Sequence, residues 1–197
     1  MNYNIYKDSR NASWHFLLEN GICTLPVTFA GLCRINNIGL YRAVDTGHFN
    51  DDERGVTFIK DGRFNILVNG SDSIEIQRYT IAHELGHIYM RHPMTDDKYG
   101  RNFGVHHHPV SKVEYQAERF AMGVLAPACV LWGLGVRSAG DIARLCCISP
   151  EDARVRAHRM RERDKRDAFL KSDLEKQVYE QFKPFILHTL SQKSSDL

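Results

Sequence analysis

Arg78 to His92 reads RYTIAHELGHIYMRH, and the fold is decided by what this stretch has to be. Ile74, Tyr79, Ile81, Leu85 and Ile88 recur at helical spacing from Ser73 onward, and Pro93 stops the run. Within that helix His83 and His87 stand four residues apart, one turn along one face, so both imidazoles can reach a single cation. Neutral imidazole suits Zn²⁺, and a site with three protein ligands keeps a fourth position open for water. Glu84 lies between the histidines, where a carboxylate can take a proton from such a water and pass it to a leaving amine. With ten histidines and ten glutamates in the chain, the HExxH pattern arises by chance about 2–3% of the time. Its place inside a well-patterned helix is what lifts it above coincidence. The alternative is a pair of solvated or capping histidines on a surface helix.

The third ligand defines the kind of site. Some zinc enzymes continue HExxH with x-x-Gly-x-x-His, but here Met90 and Pro93 hold those places. A carboxylate from a downstream helix is the other solution. Glu114-Tyr115-Gln116-Ala117-Glu118 supplies two, again one turn apart, so one can bind metal while the other orients a ligand histidine. Without the HExxH helix the same pair would read as an exposed acidic face. His106, His107 and His108 precede this helix in a polar loop. They either contribute a hydrogen-bond donor to the transition state or are solvated, since three adjacent side chains cannot all point into one site.

Outward from the two helices, upstream residues read as Gly39–Val44 and Gly55–Lys60 strands, with Asp61-Gly62 as a hairpin signal and Phe64–Val68 as the returning strand. Trp14, Leu17 and Leu18 place a helix over residues 9–20, and Pro26 is read as opening a second. Downstream, Ala117, Phe120, Ala121 and Val124 stripe a helix over residues 111–125. Two helices joined by a tight turn follow, the second announced by Ser149-Pro150-Glu151-Asp152. Leu170, Leu174, Val178 and Phe182 pattern a last helix that Pro184 should kink or end. The expected class is α+β, a small antiparallel sheet packed on helices.

A chain of 197 residues, 43% hydrophobic and 25% charged, fits one domain with a real core, or one domain with a small appendage. A net charge of +2 does not by itself imply a nucleic-acid or membrane partner. Five cysteines with no C-x-x-C pair argue against a disulfide framework or thiolate-bound zinc. The opening MNYNIYKDSR has no apolar h-region, and the longest uncharged stretch, Phe120–Val136, is broken by Pro127 and glycines. A cytoplasmic protein without a membrane span is expected.

RYTIAHELGHIYMRH and, later, EYQAERFAMGVLAP (Glu114 to Pro127) resemble the ImmA/IrrE family of metallopeptidases. That family has the form R-x-T-x-A-H-E-L-G-H, then E-x-x-A-x-x-F-A-x-x-L-L-x-P. ENGICTLPV, GVTFIKDGRFNILVN and DIARLCCISPEDARVRAHRM also resemble its opening, its hairpin and its helix-turn-helix-like segment, so the likeness spans residues 13–163. Where the family has L-L-x-P, this chain has Val124-Leu125-Ala126-Pro127. The resemblance implies a zincin-like domain, taken as residues 1–135, followed by a helix-turn-helix-like segment over 136–166; the C-terminal helix and tail over 167–197 lie outside it and rest on the apolar spacing alone. It implies one Zn²⁺ per chain held by His83, His87 and Glu114, Glu84 as general base, and Glu118 outside the ligands. It also implies a protein substrate, a helix-turn-helix repressor whose cleavage releases stress-response or mobile-element genes.

A rival reading starts from Arg154, Arg156, Arg159, Arg161, Arg163, Lys165 and Arg166. A basic second helix after a short turn is what a DNA-reading helix-turn-helix shows, so a transcription regulator using residues 149–166, with or without peptidase activity, is the alternative. Against it, the arginines circle the helix instead of forming one stripe.

Overall fold

Asp61 and Gly62 both take positive φ, 53° and 70°, the two-residue turn whose twist matches that of an antiparallel pair. Strand β2 (Gly55–Lys60) therefore folds straight back on β3 (Arg63–Asn69), from Gly55 opposite Val68 to Lys60 opposite Arg63. The computed structural model describes residues 3–44, 49, 54–92 and 112–195. Before the hairpin come helices α1 (Tyr3–Glu19) and α2 (Phe29–Ile35) and strand β1 (Gly39–Ala43). After it come α3 (Ile74–Tyr89), α4 (Lys112–Leu125), α5 (Ala128–Gly133), α6 (Ala139–Cys146), α7 (Pro150–Lys165) and α8 (Asp173–Ser195).

The α+β class expected from the sequence is the observed one, with one change in the sheet. Its order is β1-β3-β2, and β1 runs parallel to β3, with Gly39 beside Asn65 and Ala43 beside Asn69. The sheet is thus mixed, not antiparallel throughout. The tight hairpin commits one edge of β3 to β2, so β1 joins the other edge. Helix boundaries also differ from the sequence reading: α1 begins at Tyr3, ahead of residue 9, and the short helix α5 was not foreseen. Thr28, in extended conformation, caps α2, so that helix begins at Phe29 and not at Pro26. Pro184 lies inside α8 and does not end it.

The chain divides into two compact units, Met1–Ser9 with Thr28–Ala121, and Arg10–Val27 with Met122–Leu197. In the first, Ile66 and Val68 of the central strand are fully buried, as are Ala82, Ala117 and Phe120 of the helices. Helix α3 is fixed at its start by Ser73, whose hydroxyl accepts from the Ile76 amide, and by Gln77, whose amide donates to the Gly70 and Asp72 carbonyls. In the second, Leu17, Leu131, Ile142, Val178 and Phe182 form the interior. Gln181 donates to the Leu17 and Ile22 carbonyls at the end of α1, and Ser149 caps α7 as its motif predicted, accepting from the Asp152 amide.

All five cysteines are free. Burial pushes the Cys33 thiol up to about 11 and the Cys129 thiol up to about 12, so neither offers a thiolate at neutral pH. Among the described residues, no helix is long and apolar enough to cross a membrane.

Candidate metal centre

Two glycines set how closely the elements of the first unit approach. A Cβ at Gly86 would lie 3.2 Å from the Ala117 Cα and 3.0 Å from the Phe120 ring. The Gly of HELGH thus lets α4 lie directly against α3, one turn from Glu114. A Cβ at Gly55 would meet the Thr80 side chain at 2.3 Å, so β2 is equally close on another side. Residues two apart on a strand share a face, and residues four apart on a helix share one too. The Gly55–Thr80 contact is therefore followed by Thr57 on Glu84, whose Oε2 accepts from the Thr57 hydroxyl at 2.5 Å. Both side chains are buried, Glu84 almost completely.

On α3, Nε2 of His83 and Nε2 of His87 approach to 3.0 Å. From α4, Oε2 of Glu114 stands 3.3 Å from the first and 3.4 Å from the second. The two sequence-predicted histidines and the predicted carboxylate are thus brought together, and they form a group of metal-ligating type. The triangle can be tested against a cation. Tetrahedral zinc with bonds near 2.0–2.1 Å needs ligand atoms about 3.3 Å apart, and these three edges are 3.0, 3.3 and 3.4 Å. The donor set fits. Burial alone would raise the Glu114 carboxyl, but hydrogen bonds from His83 and His87, and their charge, more than offset it and hold it at about 2. The carboxylate is anionic at neutral pH, as a ligand must be.

The remaining predicted residues divide. The side chain of Glu118, half-buried one turn along α4, makes no hydrogen bond with another described residue. His106, His107 and His108 lie outside the described residues. Two residues that the sequence reading did not single out belong to the centre: Thr57, through Glu84, and His92, whose Nδ1 lies 3.0 Å from Nδ1 of His87. Thr57 has no sequence signal short of knowing how β2 and α3 pair.

The basic run on α7 is partly spent within the second unit. Arg156 donates to the Met122 and Ala126 carbonyls at the end of α4. Arg163 donates to the Ala168 carbonyl and, at 2.6 Å, to Glu175. Lys165 and Arg166 pair with Glu162, while Arg154 and Arg161 face solvent.

No curated protein matches the chain. The family model for the IrrE N-terminal-like domain of the M78 peptidases matches residues 43–158, a span that holds the hairpin, both α3 histidines, Glu84 and Glu114. With more than half of its length so matched, the chain belongs to the M78 metallopeptidase family.

Proposed function

We propose that this protein is a zinc-dependent endopeptidase in which His83, His87 and Glu114 hold one zinc ion and Glu84 is the general base. The observation that carries the reading is the convergence of two α3 nitrogens and one α4 oxygen at tetrahedral spacing, on the helix that also carries Glu84. When bound, zinc supplies Lewis acidity toward a scissile carbonyl and makes a water at the open position more acidic. The protein's own residues do the rest. Glu84 takes the proton of the attacking water and delivers it to the departing amine nitrogen. Thr57 holds Oε2 of Glu84, restricting how the carboxylate can turn between those two transfers. Glu114 keeps its negative charge to low pH and so remains a ligand throughout the neutral range. Glu118 is assigned a place outside the ligands, and the histidines at 106–108 remain candidates for a transition-state donor.

The catalytic function is assigned to residues 1–135, with residues 136–166 as a helix-turn-helix-like segment and 167–197 as a C-terminal helix and tail. The proposed substrate is a protein, a helix-turn-helix repressor encoded near this gene, cut in the cytoplasm at one or very few sites. Family membership supports a protein substrate, and a small sheet with one active-site helix supports narrow specificity, because remote binding must then position the scissile bond. The DNA-binding alternative has fewer cations to use than its sequence suggested, since Arg156 and Arg163 are engaged within the second unit.

The test is to incubate zinc-loaded protein with the neighbouring repressor and, separately, with unfolded casein. Selective cleavage of the repressor supports the reading. Broad digestion of casein with the repressor left intact overturns the proposed specificity.

A further inference from the structure

Six helices among the described residues end alike. A residue of positive φ follows the last turn, and the next amide reaches back to the carbonyl five positions earlier. This cap brings the side chains at those two positions together, and an apolar pair normally fills the contact. Four of the six carry such pairs: Leu17 with Ile22, Cys33 with Ile38, Leu131 with Val136, and Ala143 with Ile148. Helix α7 has Arg163 with Ala168. Helix α3 has two histidines, His87 and His92, with Arg91 at φ 53° between the helix and His92. A cap needs no imidazole, and the pair on α3 adjoins the candidate metal ligands.

His92 is 8% exposed and His87 is 1% exposed. Their Nδ1 atoms are 3.0 Å apart and the rings meet edge to face, with centroids 4.9 Å apart. The opposite nitrogen of His87, Nε2, is the one that faces His83 and Glu114. Only one arrangement of protons suits both contacts when a cation takes the Nε2 lone pair: Nδ1 of His87 carries the hydrogen and donates it to an unprotonated Nδ1 of His92.

We infer that His92 is a positioning residue for the metal centre, accepting the Nδ1 hydrogen of His87 and thereby committing the Nε2 lone pair of that ring to the cation. The inference rests on the metal assignment proposed above. Ligand histidines generally donate their second N–H to a carboxylate, a carbonyl or water; here the end of the same helix supplies the acceptor.

The experiment compares wild type with His92→Phe, His92→Leu, His92→Asn and His87→Ala. Zn²⁺ affinity is measured by competition with a chromophoric chelator, and ligand geometry by the visible spectrum of the Co²⁺-loaded protein. Thermal unfolding of the metal-free forms reports the cap separately. Phe and Leu remove the acceptor, whereas the Asn carbonyl oxygen sits close to where Nδ1 of His92 was. The expected result is a loss of about 10–100-fold in Zn²⁺ affinity for Phe and Leu, with an altered Co²⁺ spectrum, and near-wild-type behaviour for Asn. Wild-type affinity and spectrum in the Phe and Leu variants overturn the inference, as does an Asn variant no better than Leu. A His87→Ala protein that still binds Zn²⁺ like wild type overturns the metal assignment itself, which the His92 variants alone do not reach.

Discussion

Both compact units bury charge, and they resolve it in opposite ways. In the first, two imidazole nitrogens and a carboxylate oxygen converge on one point with the geometry of ligands. In the second, Arg156 is met by carbonyls at the end of α4, and Arg163 by Ala168 and Glu175. The two carboxylates record the contrast. Glu114 is held at about 2, against the effect of its burial, while burial raises the Glu175 carboxyl even beside Arg163. Buried polar side chains therefore do not by themselves mark a site. What marks the first unit is a set of acceptors arranged for a cation from outside the chain, whereas the second carries its cations with it.

This division of labour can be broken at several points. The largest effect is expected from Glu84→Gln, which should lower turnover by about 10²–10⁴-fold, the usual cost of removing a general base. Zinc content and thermal stability should stay at wild-type levels, and normal cleavage by this variant would remove Glu84 from the mechanism. Glu175→Gln addresses the other unit. It leaves the largely buried Arg163 guanidinium without its carboxylate, so urea unfolding should show a loss of about 3 kcal/mol. Zinc affinity should change by less than about twofold, because Arg163 and Glu175 belong to the second compact unit and the candidate ligands to the first. A parallel fall in zinc affinity would mean that the units are not energetically separate. The smallest effect is expected at Arg91, a non-glycine residue at positive φ. Arg91→Gly should raise stability by roughly 0.5–1 kcal/mol, relief of backbone strain being partly offset by a freer unfolded chain. A loss of stability would show that the Arg91 side chain matters more to the end of α3 than its backbone does.

Legibility in the sequence followed the range of the interactions. The hairpin was readable because Asp61-Gly62 is a local turn signal, and α3 and α7 were readable at their starts because Ser73 and Ser149 cap within three residues. The histidine pair was readable because helical geometry alone puts residues four apart on one face. Glu114 required a second helix, whose spacing offered Glu114 and Glu118 alike, and the resemblance chose between them. Thr57 was not readable, since its contact depends on β2 and α3 packing at Gly55, 25 residues before Thr80. The direction of β1 depends on which edge of β3 the hairpin leaves open, which no local pattern encodes. The roles of Arg156 and Arg163 were hidden for the same reason: their partners lie on α4 and α8, so a helix wheel of α7 shows only cations scattered round its circumference. His92 is the intermediate case. Its spacing of five from His87, just before Pro93, is the signature of a helix-end pair.

The most direct test of the central claim is metal content. Wild-type protein, stripped with chelator, reloaded with Zn²⁺ and freed of excess, should retain one zinc ion per chain by elemental analysis, the number a His83–His87–Glu114 group can hold. Glu114→Ala, treated identically, should retain little, and Glu118→Ala should retain most. Full occupancy in the Glu114→Ala protein would contradict the account, since the third ligand would then have to come from elsewhere in the chain.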